Sequence, residues 1–562
     1  MIEGVLAPVS GAVDVAIREE YGWRCVTAGT VTVWIKGYGR VVDCASQVAK
    51  LSASPSFEDI SALLLDLNGF FALVAQGPSW TFAAVDWVRS IPVSWAETST
   101  RSIVDDQAGR LAARLGLGAA DADPESGLAL GMAGYTIDTA TLFPDINQLG
   151  PGEFVLFRDG APGVRQRYYT YQPWRADKPV YDPSRSERDL AELTLVLIDE
   201  IMRGLDGRML VVPLSAGRDS RLIVSAARHL GYDNVRTFAY GKPGNHEAIT
   251  SKAIAERLGY DWRFVPVSPA FMRRHYASAD WYHYNRFADS LQSVPFVQDL
   301  PQVQVLKADG YIPDDAVLCN GNSGDYISGL HLVPSMRTPP VHRDQQERLD
   351  AIVTAVYDKH FALWQALRTP EAQGSIARQL KASLARAGAV PSDPQNDYGL
   401  YEYAEFQDRQ CKYVITGQRI YEYLGHEWRL PLWDKAYLDF FESIPLDGKV
   451  GQKLYADMLL NADWGSVWQN VPVNAKTIRP RWIRPLRWAM KAVHAPLGRA
   501  AWHRSERRWF SYWMEGGSHS AIVPYRQVAA DRRGARHGVA WETEAYLNAK
   551  GIDFGGAHDG DG

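Results

Sequence analysis

The chain has 562 residues, of which 46% are hydrophobic and 22% charged, and its formal net charge is −5. Since a single hydrophobic core stops growing at about 250–300 residues, we expect at least two domains. The composition is that of an ordinary globular protein, and no apolar stretch reaches the roughly 18 residues that predict a membrane span. The modest negative charge gives no overall reason to expect a nucleic-acid partner.

Neither the chain start nor the cysteines point to secretion. The first residues lack a basic region followed by an apolar segment and a cleavage site, so we expect a cytoplasmic protein. The cysteines are far apart and form no C-x-x-C pair, which argues against structural zinc and against a disulfide framework. They are Cys25, Cys44, Cys319 and Cys411.

Short strands separated by turn residues are predicted over the first 170 or so residues, and we interpret 1–175 as one β-rich domain. The clearest elements are strands at 30–35, 69–74, 81–85 and 152–157, with a helix at about 104–115. Residues 174–184, rich in proline and charge, are typical of a linker.

Strands and helices alternate beyond this linker, which predicts a parallel sheet covered by helices over 186–345. Helical patterns dominate 346–562, which we interpret as the helical part of the same domain followed by a tail. The predicted elements are helix 186–205, strand 209–214, helix 219–230, strand 235–240, helix 246–258 and strand 263–267.

The loop Leu214–Arg221 lies between a predicted buried strand and an amphipathic helix. Its small residues allow backbone N–H groups and the helix N-terminus to face an anion, and the hydroxyls of Ser215 and Ser220 add donors. The loop lacks the G-x-x-x-x-G-K-[ST] pattern, which disfavours transfer of a γ-phosphoryl group. The alternative is a small-residue turn with Asp219 near the start of a helix.

A second small-residue loop, Leu318–Gly329, follows another apolar run and contains Asp325. Magnesium in proteins takes one or two carboxylates together with phosphate oxygens and water. Asp219 and Asp325, on two converging loops, would therefore hold a pyrophosphate-bound ion. Taken alone, Asp325 is also compatible with a turn at a loop tip.

Four motifs in order resemble those of the asparagine synthetase-like family. The first loop resembles the S-x-G-x-D-S motif of ATP pyrophosphatases, and the second resembles G-E-G-x-D-E, with Asn322 at the position of the first acid. The segment Glu427–Asp434 is similar to E-x-R-x-P-F-x-D, and Lys476 stands where the family places a basic residue near the reacting groups. The resemblance covers about 186–480 and is closest to asparagine synthase-related proteins of polysaccharide pathways.

The resemblance implies an α/β fold: an N-terminal Ntn-like αββα domain, then a doubly wound parallel-sheet ATP-pyrophosphatase domain with a helical extension. It implies a ligase that uses ATP and Mg²⁺ to adenylate a small-molecule carboxylate, such as aspartate or a sugar uronic acid. Lys476, Asp219 and Asp325 would be catalytic, with the two aspartates as metal ligands. The ATP or pyrophosphate site would comprise Leu214, Ser215, Ala216, Gly217, Asp219, Ser220, Ala239, Tyr240 and Gly321.

Two positions depart from the family pattern. Glutamine-using members carry a cysteine directly after the initiator methionine, where this chain has Ile2, so we expect no glutaminase activity. Ammonia, a partner glutaminase or an amine on the substrate would then supply nitrogen. Asn322 is no proton acceptor, and Glu402 and Glu405 are candidate bases, with solvated or ion-paired helix residues as the alternative. A lactam- or peptide-ring-closing synthetase and a non-catalytic nucleotide-binding member are the competing interpretations.

The segment 479–508 has nine basic residues and one acid, with tryptophans between them. It could contact an anionic membrane surface or a phosphorylated substrate. We favour a helical cover whose tryptophans pack and whose arginines pair with acids, since Pro485 and Pro496 interrupt any long amphipathic face. The sequence predicts no oligomeric state.

Overall fold

The structure is a computed structural model that describes residues 13–39, 43–158, 161–338, 344–388, 391–469, 471–473 and 477–553. Ile2 and Lys476 lie outside these ranges. The first strands are β1 (Asp14–Val15), β2 (Arg24–Ala28), β3 (Val31–Gly39), β4 (Gly69–Gln76), β5 (Trp80–Val85), β6 (Ser94–Glu97), β7 (Ser102–Asp105), β8 (Asn147–Gln148), β9 (Glu153–Arg158) and β10 (Val164–Arg167). The helices among them are α1 (Ala45–Val48), α2 (Phe57–Asp66), α3 (Ala108–Leu115) and α4 (Pro124–Ala133).

These elements form two sheets packed face to face, in the orders β10-β9-β5-β4-β3-β2 and β1-β7-β6-β8. The rings of Trp95 and Phe157, one from each sheet, are 6.4 Å apart. In β4, Phe70, Ala72 and Val74 belong to the core between the sheets, whereas the alternate residues pack with α2. Because α3 and α4 cover the outer face of the smaller sheet, the layers are αββα, as expected.

Two predicted boundaries change in the structure. The sequence predicts a helix that begins near 104. In the structure, residues 102–105 form β7 and pair with β6, and the helix begins only at Ala108. The helix expected from about 186 begins at Pro183, because the Asp182 carboxylate accepts hydrogen bonds from the Ser184 and Arg185 N–H groups.

The central part of the chain forms a five-stranded parallel sheet in the order β13-β12-β11-β14-β15. The parallel, helix-covered sheet is therefore confirmed. Its strands are β11 (Leu210–Pro213), β12 (Val235–Gly241), β13 (Asp261–Pro266), β14 (Val317–Cys319) and β15 (Glu427–Arg429). The accompanying helices are α5 (Pro183–Arg203), α6 (Asp219–His229), α7 (His246–Leu258), α8 (Pro269–Tyr276), α9 (Ala279–Ala288), α10 (Leu300–Ala308) and α11 (Gly324–Ile327).

Helices make up most of the remainder, as expected. They are α12 (Gln345–His360), α13 (Pro370–Ala387), α14 (Asp397–Glu405), α15 (Arg419–Tyr423), α16 (Lys435–Ser443), α17 (Leu446–Lys449), α18 (Lys453–Ala462), α19 (Ile483–His494), α20 (Gly498–Met514), α21 (Tyr525–Ala530) and α22 (Gly538–Ala549). A π-helical segment, Phe406–Val414, directly follows α14. Within the described ranges, none of the helices combines the length and apolarity needed to cross a membrane.

The αββα layers and the parallel-sheet domain share one continuous buried cluster of apolar side chains. Across their interface, Lys36 of β3 forms an ion pair of 2.7 Å with Glu422 of α15, and both side chains are 1% exposed. The Trp87 indole N–H donates to the Trp433 carbonyl at 2.8 Å. Buried charges and polar groups therefore tie the two parts together as firmly as the apolar contacts do.

Removing Lys36 takes away the closest positive charge from the buried Glu422 carboxylate, which then keeps, among the described residues, only Arg419, at 3.5 Å, as a cationic partner. We expect Lys36→Met to lower the free energy of unfolding by about 3–5 kcal/mol, measured by urea unfolding. Lys453→Met, which breaks an exposed ion pair with Asp457, is the matched control and should barely move the midpoint. Equal losses in the two variants would contradict the buried pair's role.

Candidate active site

The order of the parallel sheet brings two loops together. β11 pairs with β12 on one edge and with β14 on the other. From β11 the chain adds β12 and β13 on one side of the sheet and then crosses to add β14 and β15 on the other side, so the switch point lies between β11 and β14. Ligands of doubly wound sheets bind at the carboxyl ends of the strands at such a switch point. The loops that follow β11 and β14 line one cavity there, with a volume of about 480 Å³, which is a suitable size for a small molecule.

The first loop is held in shape by its own hydroxyl groups. Ser215 N–H donates to the Ser220 hydroxyl at 3.0 Å, and Gly217 N–H donates to the Ser215 hydroxyl at 3.1 Å. Ala216 N–H donates to the Glu247 carboxylate at 2.6 Å. The loop thus leads directly into the N-terminus of α6, where the fold presents backbone N–H groups to the cavity.

Two glycines in the second loop allow it to touch the first. A Cβ at Gly321 would lie 2.5 Å from the Ser220 nitrogen, and one at Gly324 would lie 2.7 Å from an Asp219 carboxylate oxygen. Both spacings are shorter than real Cβ contacts, so any side chain at either position would push the loops apart. This close approach explains why glycine stands at the two positions.

Asp219 and Asp325 meet where the loops touch. The Asp219 carboxylate accepts a hydrogen bond from the Asp325 N–H at 3.0 Å and another from the Tyr455 hydroxyl at 3.0 Å. Burial, and then the charge of Asp325, raise the pKa of Asp219 to about 7. The structure therefore brings the two expected carboxylates together, at a place where their negative charges destabilise one another.

Apolar and aromatic side chains also line the cavity. They are Leu214, Ala239, Tyr240, Phe296 and Tyr421. Tyr240 is the last residue but one of β12, so its backbone lies at the carboxyl edge of the sheet. The cavity wall therefore combines the polar groups of the two loops with aromatic rings.

A buried arginine, overlooked in the sequence, ties the first loop to a distant segment. The Arg221 guanidinium donates to the carbonyl groups of Ala216 at 2.7 Å, Val467 at 3.1 Å and Val471 at 2.9 Å. It also reaches the Pro472 carbonyl at 3.3 Å. Arg221 therefore holds the chain that leads towards Lys476 against the base of the loop, whereas Lys476 itself lies outside the described residues.

A second cluster missed by the sequence analysis surrounds Glu405. Its carboxylate contacts His331, His360 at 3.0 Å and Lys359 at 2.9 Å, and His331 also contacts Asp325 at 3.3 Å. Although burial opposes ionisation, the charges of the histidines hold the pKa of Glu405 well below its usual range. Histidines far apart in sequence gave no local signal of this cluster.

For the two candidate bases, the structure agrees with the alternative that they are ion-paired helix residues. Glu405 has no exposed side-chain surface and pairs with Lys359, and Glu402 is buried in an ion pair of 2.6 Å with Lys449. The Glu427–Arg429 ion pair is on the edge strand β15, and the Glu427 side chain is partly exposed. Glu427 pairs with Arg208 as well.

The comparisons with known proteins agree with this geometry in one region. Residues 206–455 match the sequence model of the family described as asparagine synthase. No curated protein is significantly similar to the chain. A solved glutamine phosphoribosylpyrophosphate amidotransferase from B. subtilis, complexed with ADP and GMP, aligns at 13% identity over 42% of this chain and 71% of its own, with a TM-score of 0.19. A structure of the allosteric regulatory enzyme of purine biosynthesis aligns at 13% identity over 43% of this chain and 71% of its own, with a TM-score of 0.18.

TM-scores this low do not show a shared fold, so the fold of this chain is assigned from its own strands and helices. A loop of small residues follows the first strand of this parallel sheet, at the position where doubly wound sheets bind their ligands. By its sequence, the part of this domain between residues 206 and 455 matches the asparagine synthase family, in agreement with the motifs noted in the sequence. Members of that family are ATP-dependent amide ligases.

Replacing Arg221 tests the link between the loop and residues 467–472. Arg221→Met leaves the accepting carbonyls without their charged donor, so we expect a loss of at least about 2 kcal/mol in the free energy of unfolding. Limited proteolysis should also cut this segment faster than in the unaltered chain. Arg228→Met, on the exposed side of the same helix, is the control. Unchanged proteolysis in Arg221→Met would show that the segment is held by other contacts.

Proposed function

We propose that the chain is an ATP-dependent amide ligase that adenylates a substrate carboxylate, transfers nitrogen to it and releases AMP and pyrophosphate. The observation that carries this proposal is the contact between the two loops at Asp219 and Asp325. The loop that follows β11 brings the Ser215 and Ser220 hydroxyls and the N-terminus of α6 to the cavity, and these groups suit the leaving pyrophosphate. The acceptor acid is proposed to be aspartate or a sugar uronic acid.

The shape of the cavity supports binding of ATP across the sheet edge. We assign the phosphates to Ser215, Ala216, Gly217 and Ser220, and the base to the aromatic part of the wall near Tyr240. Gly321 keeps the second loop close enough for both loops to face the same phosphates.

The residues present suit a magnesium ion. Asp219 and Asp325 are neighbouring carboxylates, and burial, followed by the charge of Asp325, raises the pKa of Asp219, so a bound cation would favour its ionised form. Two carboxylates with phosphate oxygens and water form the donor set that Mg²⁺ prefers. Among the described residues, no group of three or more His, Cys, Asp or Glu side chains could hold a metal ion. A metal held by protein ligands alone is therefore not indicated. When bound, Mg²⁺ would neutralise charge on the pyrophosphate.

Lys476 is proposed to stabilise the negative charge that develops during adenylation and during attack by the amine. Arg221 supports this role indirectly, because it binds the carbonyls of residues only four and five positions before Lys476. The buried Glu405 cluster is assigned a positioning role: His331 orients the Asp325 carboxylate from the side opposite to Asp219.

Nitrogen is proposed to come from ammonia or another amine and not from a glutaminase of this chain. Ile2 replaces the nucleophilic cysteine that the resemblance requires. Cys44, Cys319 and Cys411 are buried, and Cys25 lies on the edge strand β2, so no cysteine side chain has the setting of a glutaminase nucleophile.

The first test is acid-dependent release of pyrophosphate and AMP with ammonia, across aspartate and a panel of uronic acids. We expect Asp219→Asn to abolish release and Lys476→Met to reduce kcat by about 100- to 1,000-fold while ATP still binds. Lys453→Met, an exposed lysine outside the cavity, is the control. Binding of ATP without turnover on any acid would refute the ligase proposal in favour of a non-catalytic member.

A second test concerns the nitrogen donor. Once an acceptor acid is known, ammonium should support product formation and glutamine should not, measured as amide formed and glutamate released. Cys25→Ser should leave the ammonium-dependent rate unchanged, because this side chain is remote from the cavity. Release of glutamate that disappears in Cys25→Ser would show instead that the chain has a glutaminase.

A further inference from the structure

Residues 477–514 form a helical hairpin made of α19 and α20, hereafter the basic hairpin. Its interior is small and apolar: Ile483, Trp502 and Phe510 are buried together. Arg487 forms an ion pair with Glu506 across the two helices and lies 5.3 Å from the centre of the Trp502 ring. The hairpin therefore has a defined inner side, and its outer side is not needed to hold it together.

The outer side is strongly cationic. Between residues 477 and 505 the chain contains no Asp or Glu. Several exposed cations have no ion pair within the part of the chain that the structure describes, and this contradicts the expectation that the arginines pair with acids. They are Arg481, Arg484, Lys491, Arg499 and Arg504.

Large apolar side chains are exposed among these cations. The expectation that the tryptophans pack holds for Trp502, but Trp488 is 78% exposed and Trp482 is 54% exposed. Leu486, Val493 and Leu497 are exposed by 54%, 67% and 68%. Six of the sixteen exposed large hydrophobic side chains of the described residues lie between 482 and 509, so this is a cluster and not the usual scatter.

The spacing along α19 places these groups on the solvent side. Leu486 and Val493 are seven residues apart and share one face, while Arg484 and Lys491, also seven apart, share another. Trp488 lies between Arg484 and Lys491 on the solvent side, one turn from each. Pro485 falls in the first turn of the helix, where proline is tolerated, so it does not interrupt this surface.

We propose that the outer side of the basic hairpin binds an anionic phospholipid membrane surface. Cations that flank exposed tryptophan and aliphatic side chains on a helix suit the headgroup layer, where the apolar groups enter the acyl boundary and the cations meet lipid phosphates. Long cationic side chains can extend back to the headgroups while their stems remain apolar. Nucleic acid would use the cations but has no need for Leu486, Val493 and Leu497.

The position of the hairpin connects this surface to the candidate active site. At its N-terminal end the Arg479 guanidinium lies beside Gly244, where a Cβ would be 3.1 Å from it, and Gly244 precedes Asn245 of the cavity wall. At its C-terminal end the chain runs into Gly516 and Gly517, which also line the cavity. A bound membrane would therefore lie near one rim of the site.

The experiment is co-sedimentation of the full chain with vesicles of phosphatidylcholine alone or with about a third of phosphatidylglycerol. We expect binding to the mixed vesicles only, weakened by salt. The triple variant Arg484→Gln, Lys491→Gln, Arg499→Gln should bind about a hundredfold more weakly, since each cation near such a surface contributes about fivefold. The triple variant Leu486→Ala, Trp488→Ala, Val493→Ala should lose roughly tenfold or more.

Matched triples elsewhere on the surface control for charge and apolar content. Arg185→Gln, Arg188→Gln, Arg378→Gln and Leu65→Ala, Val180→Ala, Tyr282→Ala should bind like the unaltered chain. All variants change exposed side chains, and equal thermal midpoints would show that each is folded. Three results would overturn the proposal: no binding to the mixed vesicles, equal binding by the hairpin and control variants, or binding that DNA displaces and that the apolar triple does not weaken.

Discussion

Strand β11 is hydrogen-bonded in parallel on both edges, and the candidate active site depends on this pairing. β12 and β14 are its neighbours, although about a hundred residues separate β11 from β14 along the chain. Parallel pairing places the carboxyl ends of these strands at one edge of the sheet, so the loops that follow β11 and β14 must lie next to each other. The small residues of both loops then allow backbone-to-backbone contact, and the two aspartates become neighbours.

Charged side chains of opposite sign lie at this contact and directly behind it. Asp219 and Asp325 place negative charge at the cavity, while His331, His360 and Lys359 surround Glu405 just behind it. A carboxylate without solvent access is costly unless it is paired and hydrogen-bonded. Glu405 meets that requirement with side chains from α12 and the π-helical segment, so the helical extension is part of the site's support and not a separate cover.

Local patterns predicted what depends on local physics. The helix 246–258 was predicted with the bounds it has, and the two small-residue loops were placed correctly after strands, because capping residues, apolar periodicity and small-residue turns act within a few positions. The start of the helix near 104 was wrong, since pairing with β6 outweighs helix propensity there. The Arg221 and Glu405 contacts cited here join residues 250 and 46 positions apart, for which a single sequence carries no signal. The surroundings of Lys476 lie outside the described residues, and its role stays a prediction.

The buried ion pair between Lys36 and Glu422 has a consequence for modularity. Glu422 also accepts a hydrogen bond from the Trp428 indole and lies near Arg419, so the surface of the synthase domain that faces the αββα layers is already charged and tightly packed. Such a surface cannot be left bare to water without new side chains to cover it. The αββα layers therefore cover a surface that the synthase domain could not expose by itself, and swapping them for the layers of a relative would require Lys36 and Glu422 to change together.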